Sequence, residues 1–410
     1  MTTVQLRRMA WLNPATPEFL STAEDVTFVP LEAVWPNGRA DFSRRADVAD
    51  VASGYTRFRA GDVLQPKVTP TFAHGRSTVA AIDTPVGAAS TEVHVLRAKS
   101  HACARYLAYV GQSRPFISEG MTRVEGVGNL LRVPPEFVAQ YRLPLMSRTE
   151  QEEIADFLDR ETAQIDAMIE AQERVVHLSQ EHRAAVVAQT LEAVETGGAP
   201  TVPLRYCLMV QSGVTLGHKP SEDDEEYPYL RVANVQTGWL DLDVIKTVRV
   251  APDVARRAML RTGDVLITEG GDRTALGRGA LWRGEIPGAL HQNHIFALRC
   301  RDCLDPSFLV YVLDAPAARV HFESTRRQTT NLSSTNTAKV KAFKTPLPPV
   351  TRQKEVVAEL DGALESVNEV IAAAQRVTIL LRERREALIT AAVSGRIDPT
   401  TGIERIEEAS

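Results

Sequence analysis

The chain has 410 residues, 44% hydrophobic and 24% charged, with a net charge of −5. That is the composition of an ordinary globular protein with room for two or three cores. No apolar run approaches the ~18 to 20 residues of a membrane span, and the opening Met1-Thr2-Thr3-Val4-Gln5-Leu6-Arg7-Arg8 lacks a basic segment followed by an apolar stretch. A cytoplasmic protein with no membrane partner is the expectation.

Divided along the chain, the charge is uneven. Residues 1–143 and 196–345 each carry +3, whereas residues 144–195 carry −8 and residues 346–410 carry −3. Thirty-nine of the 47 basic residues are Arg, the side chain suited to bidentate contact with phosphate and guanine. This pattern permits nucleic-acid binding without demanding it.

The two basic segments open alike, with Val4-x-Leu6-Arg7 and Val202-x-Leu204-Arg205. Further echoes follow at an offset of 202 residues. Gly61-Asp62-Val63-Leu64 returns as Gly263-Asp264-Val265-Leu266, Leu96-Arg97 as Leu298-Arg299, Tyr109-Val110 as Tyr311-Val312, and Asn129-Leu130 as Asn331-Leu332. Strand-like runs such as Tyr229-Leu230-Arg231-Val232, Asp264-Val265-Leu266-Ile267 and Ile295-Phe296-Ala297-Leu298-Arg299 are broken by turn residues. Helical stretches about 102–110 and 306–313 complete a mixed α/β reading of each segment.

The clearest repeat comes next. Residues 144–187 align without a gap on residues 346–389 and are identical at about a third of positions, among them Pro144/Pro346, Gln151/Gln353, Leu158/Leu360, Asp159/Asp361, Arg174/Arg376, Leu178/Leu380, Glu181/Glu383 and Arg183/Arg385. A period of 202 is far too long for a solenoid; it marks a duplicated domain followed by a duplicated helix. The first helix is expected near Arg148, with Thr149 as N-cap and Glu152 three residues on; the second is expected at Thr351. Gly197-Gly198 and Gly395 mark their ends, so each runs about 40 residues, or roughly 60 Å.

One register, stepping by four and three, threads both helices and predicts a left-handed coiled coil. Its apolar members are Ile154, Leu158, Ile165, Met168, Val175 and Val186 in the first helix, and Val356, Leu360, Val367, Val370, Val377, Leu381 and Leu388 in the second. The expected partition is residues 1–143 as first domain, 144–196 as central helix, 197–345 as second domain, 346–396 as C-terminal helix and 397–410 as tail. The fold class is α+β: two mixed α/β domains separated by two long helices that form an antiparallel intramolecular coiled coil, a pseudo-twofold repeat.

Polar, basic loops supply candidate nucleic-acid contacts. Arg326, Arg327, Gln328, Thr329 and Asn331 offer guanidinium, amide and hydroxyl groups within one short run, the inventory that reads base edges and holds phosphates. Arg273 and Arg278 lie among glycines, with Asn293 nearby in sequence; Lys67, Arg76, Arg114 and Arg123 occupy similar contexts in the first domain.

Signs of chemistry are missing. The sequence has no Gly-x-x-x-x-Gly-Lys-Ser/Thr loop, and Asn13-Pro14-Ala15-Thr16 lacks the aromatic residue an amino-methyltransferase needs in the fourth place. None of the eight lysines follows an acidic residue by two positions, as a common nuclease motif requires. His291-x-x-His294 and Cys300-x-x-Cys303 contain two-His, two-Cys zinc donors, but the histidines open a strand and the first domain has no equivalent. His291, His294 and Glu269 lack a nucleophile. No catalytic residue, cofactor or metal is expected.

The duplicated approaches, Leu143-Pro144-Leu145-x-x-x-x-Glu150-Gln151-x-x-Ile154 and Pro346-Leu347-Pro348-Pro349-x-x-x-Gln353-x-x-Val356, each following a domain of equal size, resemble those of the specificity subunit of type I restriction-modification systems. The resemblance covers nearly the whole chain. It implies that each domain is a target-recognition domain reading one half of an asymmetric, bipartite site in double-stranded DNA. It implies further that the helices set the half-site distance and bind methyltransferase subunits, two of them, through which restriction and translocase subunits join. The chain would then be non-catalytic. A DNA-recognition subunit of a methylation-only or other phage-defence system is the alternative, with a stand-alone DNA-modifying enzyme behind it.

Overall fold

The computed structural model describes residues 2–18, 25–128, 131–215, 217, 221–271, 279–324, 327–329 and 332–403. Two long helices, Arg148–Thr196 and Val350–Val393, follow the two domains. Contacts divide the chain into Met1–Glu173 with Gln375–Ser410, and Arg174–Ala374. Each unit therefore holds one domain and half of each helix.

In the first unit the phrase Val4-x-Leu6 has a structural cause. Strand Thr3–Gln5 pairs antiparallel with Arg142–Pro144, Val4 opposite Leu143, and the Leu6 amide donates to the Tyr141 carbonyl at 2.8 Å. Domain start and domain end are thus tied together where the helix begins. The second unit repeats this with Thr201–Pro203 against Lys344–Pro346 and the Leu204 amide on the Phe343 carbonyl, also 2.8 Å. Leu6 and Leu204 are both buried.

Each domain centres on an antiparallel four-stranded sheet. In the first the order is Ala10–Leu12, Val93–Ala98, Val63–Pro66, Thr78–Val79; in the second it is Leu208–Ser212, Ile295–Cys300, Asp264–Thr268, Gly279–Leu281. The echoes Gly-Asp-Val-Leu and Leu-Arg prove to be two ends of one buried ion pair. Asp62 accepts from Arg97 at 2.9 and 2.7 Å, and Asp264 from Arg299 at 2.8 and 2.7 Å. Each carboxylate also accepts the backbone N–H three residues earlier, that of Arg59 or Arg261, at 2.8 Å. Gly61 and Gly263 have φ of 82° and 93°, a left-handed turn that favours glycine. A second sheet in each domain contains a parallel pair, Val26–Val29 with Val86–Ala89 and Glu225–Leu230 with Leu290–His291.

The long helices start and stop by local chemistry. The first begins at Arg148, and its capping box is Ser147/Glu150: the Glu150 amide meets the Ser147 hydroxyl at 3.2 Å while the Ser147 amide donates to Glu150 at 2.7 Å. The box therefore lies two residues before the Thr149 expectation, because Ser147 already faces the free amides of the first turn. The second helix begins at Val350, one residue before Thr351. Both end in the paired bonds of a glycine C-cap: Gly198 and Ala199 donate to Glu195 and Val194, and Gly395 and Arg396 to Ala392 and Ala391.

Within the first unit, Ile154, Ala155, Phe157 and Leu158 of the first helix share a core with Ile389, Ala392 and Val393 of the second. Within the second unit, Val187, Leu191 and Val194 share a core with Val356, Leu360 and Leu364. In each unit the beginning of one helix meets the end of the other, so the helices are antiparallel. The buried register differs from the expected one in alternate columns. Ile154, Leu158, Ile165, Val356 and Leu360 are buried, and Val186, Val367, Leu381 and Leu388 half-buried. Met168, Val175, Val370 and Val377, by contrast, are exposed at 42, 38, 45 and 40%. One residue after the register positions Glu161, Met168, Ala363 and Val377 stand Thr162, Ile169, Leu364 and Thr378, all buried. The helices must also cover their domains, which turns the contact face and recruits polar side chains that a search for apolar columns passes over.

Candidate nucleic-acid interface

Each domain is clamped to the helices by the same polar devices. Gln151, fully buried, accepts the Cys103 amide at 2.9 Å and donates to the carbonyls of Met146 at 3.0 Å and His101 at 3.4 Å. Gln353 repeats this 202 residues on, accepting from Asp305 at 2.7 Å and donating to Pro348 at 2.8 Å and Cys303 at 2.9 Å. Tyr109 donates to Asp159 at 2.7 Å and Tyr311 to Asp361 at 2.5 Å. Burial holds both phenols well above their ordinary range, so they remain donors.

A second pair of clamps comes from the other helix of each unit. Arg385, 7% exposed, donates to Asp166 at 3.0 Å and to the Asn37 carbonyl at 3.2 Å. Arg183, its repeat equivalent, is paired with Asp314 and approaches Gly238. Desolvation lowers both guanidinium groups from their ordinary value, but so strong a base stays charged. The loops they touch are built alike. The Trp35 amide donates to Arg39 at 2.8 Å and the Gln236 amide to Trp239 at 3.0 Å, and Trp35 and Trp239 stand 45 and 58% exposed.

Beyond these clamps each domain carries a hairpin. In the second it pairs Arg327–Thr329 with Leu332–Ser334, flanked by Gly270–Gly271. In the first, 202 residues earlier, Glu125 and Arg132 exchange two backbone bonds of 2.8 Å. Gly126 and Gly128 have φ of 126° and 65°, and Val127 is 89% exposed. The stems agree in position while their sequences differ.

The sequence candidates distribute unevenly over this frame. Arg327, Gln328 and Thr329 form one strand of the second hairpin. Arg273, Arg278, Arg326 and Asn331 lie outside the described residues. Arg123 is exposed just before the first hairpin, and Lys67 is half-buried, with its amide on the Glu92 carbonyl at 2.9 Å. Asn293 is half-buried, and its amide donates to Val214 at 3.0 Å. Arg76 faces inward and donates to the Val34 carbonyl at 2.9 Å, whereas Arg114 is exposed, its backbone amide donating to the Thr390 hydroxyl at 3.2 Å and its guanidinium lying 3.5 Å from Glu386. Turn-rich sequence marks loops on every side of a domain, so it could not separate these.

The two-His, two-Cys set is dispersed. His291 is buried against the carbonyls of Ala258 at 3.0 Å and Gln211 at 3.4 Å, and His294 bonds Glu269 at 2.7 Å. The cysteines lie at the far end of strand Ile295–Cys300, which at ~3.3 Å per residue is roughly 20 Å long. Among the described residues no group of three or more His, Cys, Asp or Glu side chains is arranged to hold a metal ion, and no helix is long and apolar enough to cross a membrane.

Sequence reasoning also passed over a surface. Arg174, Val175, Leu178 and Glu181 are identical to Arg376, Val377, Leu380 and Glu383, and all eight are exposed. Both leucines are 62% exposed. Identity between copies at solvent-facing positions was the available signal, masked because Val175 and Val377 also fit an apolar column.

Fold and clamps define a class: an internally duplicated α+β protein whose two domains, alike in frame and unlike at their hairpins, are mounted on antiparallel long helices. Comparison with known proteins agrees. No family model matches. The specificity subunit of the Escherichia coli type I restriction enzyme EcoEI is 28% identical over 156 residues, which span 37% of this chain and 26% of that protein. That of EcoKI, from Escherichia coli strain K12, is 22% identical over 278 residues, 65% of this chain and 60% of its own length. The matches thus cover about a quarter of the first relative and well under two thirds of the second. A solved chain from a study of complex assembly and conformational transition in a type I R-M system superposes with a TM-score of 0.58 at 19% identity, covering 96% of this chain and 97% of that one. The chain is thus similar, over part of its length, to type I restriction enzyme specificity subunits.

Proposed function

We propose that this chain is the sequence-reading, non-catalytic subunit of a type I restriction-modification assembly. Each domain reads one half of an asymmetric, bipartite site in double-stranded DNA, with the paired hairpins as reading elements. The observation that carries this is the contrast between copies. Gln151/Gln353, Tyr109/Tyr311 with Asp159/Asp361, and Arg183/Arg385 repeat residue for residue, whereas residues 125–132 and 327–334 share only Asn129/Asn331 and Leu130/Leu332. A device that holds two readers alike yet gives them different surfaces suits two unlike half-sites. The duplicated exposed patches, Arg174 to Glu181 and Arg376 to Glu383, suit two identical methyltransferase subunits, through which restriction subunits join. Chemistry on a flipped base then belongs to those partners.

Methylome sequencing of cells carrying the complete system tests this. Replacing Arg326, Arg327 and Asn331 together with Ala should relax or abolish reading of one half-site and leave the other intact, since each base-edge contact contributes about 1 to 3 kcal/mol of discrimination. Equal loss at both half-sites refutes the assignment of one reader to each domain.

A further inference from the structure

Three of the four cysteines converge in the second domain. Cys207 precedes strand Leu208–Ser212, whose Leu208 lies opposite Cys300, and the Arg301 amide donates to the Cys207 carbonyl at 2.8 Å. The chain then turns back, the Leu304 amide meeting the Arg301 carbonyl at 2.9 Å, and this turn sets the Cys303 thiol beside that of Cys207. All are free thiols; Cys207 is buried, Cys300 partly buried and Cys303 exposed. The matching places in the first domain hold Met9, Ala98 and His101, as the equivalent bond from the Lys99 amide to the Met9 carbonyl at 2.9 Å shows.

We propose that Cys303 and Cys207 form an oxidation site that takes a hydroperoxide and closes to a disulfide, in the second domain alone. With hydrogen peroxide, the Cys303 thiolate attacks one oxygen, the O–O bond breaks, and the departing hydroxide takes a proton to leave as water. Cys303 is then a sulfenic acid. The Cys207 sulfur attacks the Cys303 sulfur, forming the S–S bond; the Cys207 proton leaves with the sulfenic hydroxyl as a second water. Peroxide, reduced to water, takes up the two electrons that the thiols lose. Exposure makes Cys303 the point of attack. Burial pushes the Cys207 and Cys300 thiols up, to about 11 and about 12, which leaves few thiolates there to compete. The link would join the start of the central sheet to the turn whose Cys303 carbonyl receives Gln353, bracing a clamp on one domain only.

The test is peptide mapping of the full chain after hydrogen peroxide treatment and thiol blocking, without reduction. Trypsin cleaves after Arg301 and so separates Cys300 from Cys303. A linked peptide pair containing Cys207 and Cys303, released by dithiothreitol, lost in Cys303→Ser and retained in Cys300→Ser, is expected. In Cys207→Ser, Cys303 should persist as a sulfenic acid that dimedone captures. Three results would each overturn the proposal: a Cys300–Cys303 link, Cys303 accumulating unlinked as sulfinic or sulfonic acid in the unaltered chain, or Cys303 remaining reduced while the exposed Met209 is oxidised.

Discussion

Replacing Gln353 with Ala isolates one clamp. The side chain is fully buried and makes three bonds, from the Asp305 amide at 2.7 Å and to Cys303 and Pro348 at 2.9 and 2.8 Å. A typical net hydrogen bond contributes about 1 kcal/mol, and a buried amide left without a partner costs about 1 to 3 kcal/mol. Alanine cannot fill the vacated space, and little water can reach Asp305 to compensate. The loss should be about 3 kcal/mol, which is about a hundredfold in a local opening constant at 1.4 kcal/mol per factor of ten. Two domains on shared helices need not unfold in one step, so the assay is native-state hydrogen exchange resolved by peptide. Segments covering 300–310 and 346–360 should exchange about a hundredfold faster, while 98–108 and 144–158, held by Gln151, stay unchanged. A change of less than threefold in segments 300–310 and 346–360, or equal acceleration in both domains, would refute the reasoning.

Three other outcomes follow from the same geometry. Leu364→Lys should cost more than 3 kcal/mol because it buries a charge in the core of the second unit, whereas Val377→Lys should change thermal stability by under about 0.5 kcal/mol yet weaken co-purification of methyltransferase subunits. Matching heptads inserted in both helices should lengthen the methylated half-site gap by about 3 base pairs, since seven residues rise about 10.5 Å against 3.4 Å per base pair; an unchanged gap removes the spacer role. Burial also holds His94 and His291 below the ordinary histidine range. As pH falls through about 6.5 the unfolded chain binds protons that the folded one refuses, so stability should decline from pH 7 to 5.5, by up to about 1.4 kcal/mol per pH unit for each histidine. His94→Gln should flatten the decline, and an equal slope in that variant would count against the His94 assignment.

Much of this protein was legible in the sequence because duplication prints every structural demand twice. Gly61-Asp62 and Leu96-Arg97 were visible as echoes before their ion pair was, and Gln151/Gln353 and Tyr109/Tyr311 stood out as identities without a stated role. Gly198 and Gly395 marked the helix ends because a left-handed cap favours glycine. The sequence by itself thus determined the duplication, the presence and direction of the two long helices, and the likeness to a known family; the helices, at 49 and 44 residues, run longer than the expected length of about 40.

What only the tertiary structure decided is which face of each helix is inside. Two seams one residue apart both satisfy a four-three spacing, and choosing between them depends on where the domains press. That contact buries Thr162, Thr378 and Arg385 and leaves Val175 and Val377 in solvent. It also turned Arg76 inward and brought Cys207 to Cys303 across 96 residues of chain, because a side chain's surroundings are set by segments distant in sequence, which no local pattern records.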